Sequence, residues 1–202
     1  MDPPSGKIPY QPWALAKRQD HLEAYTHPTK PEHIPGRARC YLPGVPSTTY
    51  SGGSQIIQSP GYVVLLNEFT HAPRIIPLDG RPHLGENIRL WQGDSRGHWN
   101  GNTLVVETTN TNAKGFDHIG DFHGDALQVV EHFTFLSPDT IHYEATLDDP
   151  KVFTRPWKIG LTLRRNKEPG FELWEEACFE GERDSARMLR TTPGTKLADP
   201  PK

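Results

Sequence analysis

The chain has 202 residues, with 22 Lys and Arg against 25 Asp and Glu, for a formal net charge of -3. That length suits one full-size domain, and the basic residues are too scattered for the cationic stripe of a nucleic-acid binder. No apolar run of about 18 residues occurs, so no membrane-spanning helix is expected.

Ten of the 20 prolines fall in residues 1–60, so residues 1–54 read as an extended Pro-rich arm that wraps a domain. WALAKRQDHLEAY (13–25) has helix-forming composition and offers Trp13, Leu15, Leu22 and Tyr25 for docking. Beyond it proline recurs too often for a helix, and STTYSGGS is a flexible turn. From Gln55 onward the pattern turns to strands: QIIQS (55–59), GYVVLLNEF (61–69), PRIIPLD (73–79), GNTLVVETTN (101–110), ALQVVEHFTFL (126–136), TIHYEATLD (140–148), WKIGLTLRR (157–165) and FELWEEACFE (171–180). HAP, SPD, NKEPG and the NGN of HWNGNTL supply turn chemistry between them. Short connections favour an antiparallel meander. The expected fold is all-β: an antiparallel β-barrel or strongly curled meander over residues 55–185, lipocalin-like in broad architecture, with 186–202 as a tail. ERDSARMLR (182–190) is a further short helix candidate.

Cys40 and Cys178 are the only two cysteines and permit one disulfide. A bridge closing about 140 residues could contribute roughly 4–5 kcal/mol and would place the protein in an oxidising compartment. Two unrelated buried thiols remain the alternative. The start, MDPPSGKIPY, lacks a signal-peptide pattern, which fits a mature exported protein and an ordinary cytosolic chain alike.

The densest chemistry is FDHIGDFHGDALQVV (116–130), which carries Asp117, His118, Asp121, His123 and Asp125. Three readings stay open: a solvated loop, acid/base work by His123 with Asp125 or Glu131, and a divalent metal at His118 and His123. The following strand alternates so that Leu127, Val129, Glu131, Phe133 and Phe135 share one face, which sets Glu131 among apolar neighbours. Glu107 shares a face with Val105 and Thr109. Two inward carboxylates could divide acid and base roles, or they could neutralise buried arginines such as Arg74 or Arg155. A second region, 74–102, holds Arg74, Asp79, Arg81, His83, Asp94, Trp91 and Trp99. Arg81 could clamp an anion, and the two tryptophans could wall a ring-binding pocket. Against this, Asp79–Arg81 reads equally as a turn-stabilising ion pair.

At RIIPLDGRPH, WQGDSRGHWNGNTLVVETTN, FHGDALQVVEHF and DDPKVFTRPW, the chain resembles an uncharacterised family of exported, β-rich proteins of soil bacteria. The resembling segments run from about Tyr62 to Asp184. The positions that match its motifs are Asp79, Arg81, Asp94, Trp99, Glu107, His123, Asp125 and Glu131. The family usually carries an acidic residue at one or both of the positions held here by Asn100 and Asn102. The resemblance implies export and a β-rich domain, and it supplies no reaction.

The leading expectation is an exported, periplasmic or secreted enzyme that hydrolyses or eliminates a small organic substrate in a barrel pocket. His123 would be the acid/base, oriented by Asp125, with Glu131 and Glu107 as internal carboxylates. Arg74, Asp79, Arg81, Trp91, Asp94 and Trp99 would contact substrate. No cofactor is required, although a divalent metal is possible. The alternative is a periplasmic small-molecule binding protein without turnover.

Overall fold

The computed structural model describes residues 1–34, 36–50, 52–69, 73–114 and 120–174. Eight strands form two antiparallel sheets. β1 (Ser54–Ser59), β2 (Tyr62–Asn67) and β3 (Pro73–Pro77) make a three-stranded sheet in that order. β4 (Asp94–Asn100), β5 (Thr103–Thr109), β6 (Gln128–Ser137), β7 (Thr140–Asp148) and β8 (Trp157–Arg164) make a five-stranded meander.

Alternation sets the inner faces, because successive strand residues point to opposite sides. Val63 and Leu65 of β2, Ile76 of β3, Leu104 and Val106 of β5, Val129 and Phe133 of β6, and Tyr143, Ala145 and Leu147 of β7 all enter one buried cluster. The two sheets therefore share a core. Neither closes on itself: among the described residues no ladder joins β3 to β4 or β8 to β1. The expected barrel is thus two open sheets, packed closely at one seam. There a Cβ on Gly97 would lie 2.7 Å from Ile76 Cγ2, so only glycine lets β3 side chains rest on β4.

β4 was not foreseen as a strand. It pairs with β5 through a tight turn in which Asn100 opposes Thr103 and Gly101 takes φ 59°. Glycine at the first central position suits a type II′ hairpin, which matches the strand twist.

Among the described residues of 1–54, buried side chains are spread along the chain from Tyr10 to Thr49. α1 (Pro12–Thr26) buries Ala14, while Trp13 and Leu15 remain 52% and 55% exposed, so Leu15 does not dock as expected. Tyr10, Ile34 and Val45 are buried instead. Asp2 exchanges two backbone hydrogen bonds with Lys158 on the outer edge of β8. A one-turn helix, α2 (Ser47–Tyr50), brings Thr49 toward β6. At the other terminus, 171–174 form no strand, and the rest of the expected strand, the 182–190 helix and Cys178 lie outside the described residues. The expected Cys40–Cys178 bridge lies outside them too.

Candidate functional site

Glu131 is fully buried and Arg74 is 2% exposed, and the two form an ion pair between the sheets. Arg74 Nη1 donates to Glu131 Oε1 at 3.0 Å, and Nη2 donates to Glu131 Oε2 and, at 2.8 Å, to Thr108 Oγ1. Arg74 Nε donates to Ser95 Oγ at 3.0 Å. Glu131 Oε1 also accepts from the Tyr143 hydroxyl at 2.8 Å and from Thr49 Oγ1 at 3.2 Å. Burial, reinforced by the Glu131 charge, holds the Tyr143 phenol well above its ordinary pKa, so it stays protonated and donates. Burying two charges is tolerated only when geometry and hydrogen bonds compensate their lost hydration, and here each nitrogen of Arg74 is engaged. The sequence reading placed Glu131 inside correctly and offered Arg74 as its neutraliser. Its other role for them, proton transfer and substrate positioning, finds no vacant hydrogen-bonding atom here.

The remaining acid/base set does not converge. Glu107 is exposed on the outer face, opposite Arg96 on β4, whereas its register neighbour Val106 points inward beside Glu131. The expectation of a second internal carboxylate is therefore corrected: β5 presents Leu104, Val106 and Thr108 inward, and Glu107 belongs to the opposite parity. His123 is buried, with Nδ1 2.7 Å from the Gly124 carbonyl, an arrangement that places the proton on Nδ1. Burial lowers its pKa, against the Gly124 carbonyl and the Asp149 charge that favour the imidazolium. Asp125 does not orient it. That carboxylate is exposed and paired with Lys151 at 3.0 Å, which lowers its pKa. Asp149 is the carboxylate in the field of His123, and it accepts from Gly124 N at 2.6 Å. His118 lies outside the described residues, and among those described no three His, Cys, Asp or Glu side chains are placed to hold a metal.

The proposed substrate contacts also separate. Asp79 and Arg81 form an exposed ion pair beside the Tyr62 hydroxyl, which holds the Asp79 carboxyl down at about 2. Trp91 packs on Tyr41, with ring centroids 5.1 Å apart, whereas Trp99 packs on Phe135 at 5.9 Å near the far end of β4. They do not wall one pocket.

One pairing escaped the sequence reading. Asp94, buried at the start of β4, accepts from Leu84 N at 3.0 Å and from Arg96 Nη1 at 2.6 Å, and lies 2.9 Å from His83 Nδ1. Asn110 pins the same loop by donating its amide to the carbonyls of Gly85 and Ile88, each at 3.0 Å. His83 is thus held in one tautomer with Nε2 turned away from the carboxylate, on a side chain 28% exposed. Both residues stood out in sequence, but 11 positions of loop separate them. Nothing local said that the loop folds back.

At the other end of the strands the space between the sheets opens as a shallow apolar cleft whose enclosed volume is only about 10 Å³. Ile56 of β1, Val63 and Leu65 of β2, Leu104 of β5, and Phe133 and Phe135 of β6 line it, with Trp99 at 41% exposure. Gln58 is among its lining side chains. No family model, curated protein or solved structure matches this chain.

Proposed function

We propose that the protein binds a small apolar or aromatic molecule in the cleft between its two sheets, as an exported, non-catalytic binding protein. The observation that carries this reading is the lining: side chains from both sheets converge on an apolar concavity flanked by an exposed tryptophan. Small-molecule sites are concavities lined mainly by apolar and aromatic side chains, and this cleft has that lining. Its enclosed volume of about 10 Å³ is far below the roughly 300–1,000 Å³ of drug-sized pockets, so a ligand would lie in the open mouth against Trp99 rather than be enclosed. The resemblance noted above supports export. Titration with 1-anilinonaphthalene-8-sulfonate tests the binding. Saturable fluorescence enhancement is expected in the wild type, with affinity about tenfold weaker in Trp99→Ala, or about 1.4 kcal/mol. No saturable binding, or equal affinity in the variant, removes the reading.

The acid/base enzyme is a second reading, favoured by His83 and Asp94 rather than by His123. A histidine whose Nδ1–H is held by a buried carboxylate leaves Nε2 as the acceptor, the arrangement of a general base acting on water. Small activated esters such as p-nitrophenyl acetate are the probe. His83→Ala should lower the rate by about 100-fold or more, and an unchanged rate eliminates it.

A further inference from the structure

Strand β1 is the open edge of the three-stranded sheet, paired only with β2 among the described residues. Its sequence, SQIIQS, carries no charge and no proline, and five of its six residues are exposed. Natural edge strands are commonly defended by lysine, proline, a bulge or a covering segment. The edge at β8 obeys that rule, with Asp2 paired to Lys158 and a second cation at Arg164. Among the described residues β1 has none of these defences. Its outward residue Ile57 also begins a cross-strand row, Ile57–Val64–Ile75, on the outer face of the sheet. Ile57 is 40% and Ile75 57% exposed. Isolated exposed isoleucines need no explanation, but an aligned row ending on an undefended edge does.

We propose that β1 is a homodimer interface, pairing antiparallel with β1 of a second copy about a two-fold axis. A two-fold antiparallel pairing makes one strand its own partner, so the strand must tolerate itself. An uncharged strand does so without like-charge repulsion, and its β-branched pair Ile56–Ile57 suits cross-strand packing. With Ile57 opposite its symmetry mate, the outer row runs without interruption through both sheets, as Ile75, Val64 and Ile57 meet the same three residues of the second copy. On the inner face the same register sets Ile56 of each copy opposite Gln58 of the other. Both residues line the cleft, so each copy extends the β1 wall of the other's cleft. That last point alone rests on the ligand-binding reading. Six residues of edge are few against the roughly 20–30 per side of a standard interface, so the dimer dissociates in the micromolar range.

Sedimentation equilibrium on the full chain, from about 1 to 200 µM, tests this. The wild-type mass should rise from 22.8 kDa toward twice that value. Ile57→Lys, on a solvent-exposed side chain, should stay monomeric throughout with unchanged circular dichroism. Ile57→Cys should cross-link into a reducible covalent dimer, while Val64→Cys, one strand inward on the same face, should not. A wild type that stays monomeric over the whole range overturns the proposal, as does a dimer that survives Ile57→Lys. Dye titration of the monomeric Ile57→Lys protein reads the cleft separately, so loss of the dimer and loss of the ligand site are told apart.

Discussion

The two ends of the space between the sheets are built by the same strands and have opposite chemistry. Near the starts of β3, β4 and β6 the interior holds Arg74, Ser95 and Glu131, with Thr108, Thr49 and Tyr143 around them. A few residues further along β4 and β6, Trp99, Phe133 and Phe135 face Ile56 and Val63 across an open cleft. The polar end is locked, because its charges satisfy one another. The apolar end is left incomplete, because hydrophobic side chains need no specific partner and tolerate an open mouth. In this fold the buried charges satisfy one another, and the exposed aromatic surface is where we propose that a ligand enters.

The polar end depends most on Glu131. Glu131→Ala strands the Arg74 guanidinium in the core and should cost about 3–5 kcal/mol by urea denaturation. Replacing both, as Arg74→Met with Glu131→Leu, should cost less than Glu131→Ala alone, because no unpaired charge remains. A double variant as unstable as the two losses combined would show that the pair is not what locks this end. At the apolar end, Leu104→Ala removes a buried side chain and should cost about 2–4 kcal/mol while enlarging the cleft. A loss below about 1 kcal/mol would mean that this end is not packed.

The smallest effect sharpens the picture beyond the polar end, at His123. Burial depresses its pKa, whereas the unfolded ring titrates near about 6.5. Below that pH the unfolded chain binds more protons than the native one. The contribution of His123 is therefore intact above about pH 6.5 and is lost as pH falls toward the depressed value, at no more than about 1.4 kcal/mol per pH unit. His123→Gln should flatten that part of the stability profile, and an unchanged slope would place the titration elsewhere.

Strand identity was legible where alternation was clear. QVVEHF assigned Val129, Glu131 and Phe133 to one face, and all three are buried. β4 escapes sequence reading because DSRGHWN is polar and glycine-containing, although the Gly101–Asn102 turn after it demands a strand on both sides. Glu107 was misplaced by reading its neighbours Val105 and Thr109 as inward, when the inner face of β5 is Leu104, Val106 and Thr108. One residue of parity reverses every side chain in a strand. The dense cluster of residues 117–125 promised a joint site, yet Asp121 accepts from Arg18, Asp125 pairs with Lys151, and His123 turns to the Gly124 carbonyl.

Composition and two-residue periodicity, both local properties, were enough to determine a β-rich chain, the order of most strands and the burial of Glu131. The partner of Glu131 lies 57 positions away, and the Asp94–His83 pairing needs a loop folded back over 11. Which of several nearby arginines and carboxylates meet was decided only when the two sheets packed, because electrostatic partnership depends on distance in space and on exclusion of water, and neither is written in the spacing of the residues.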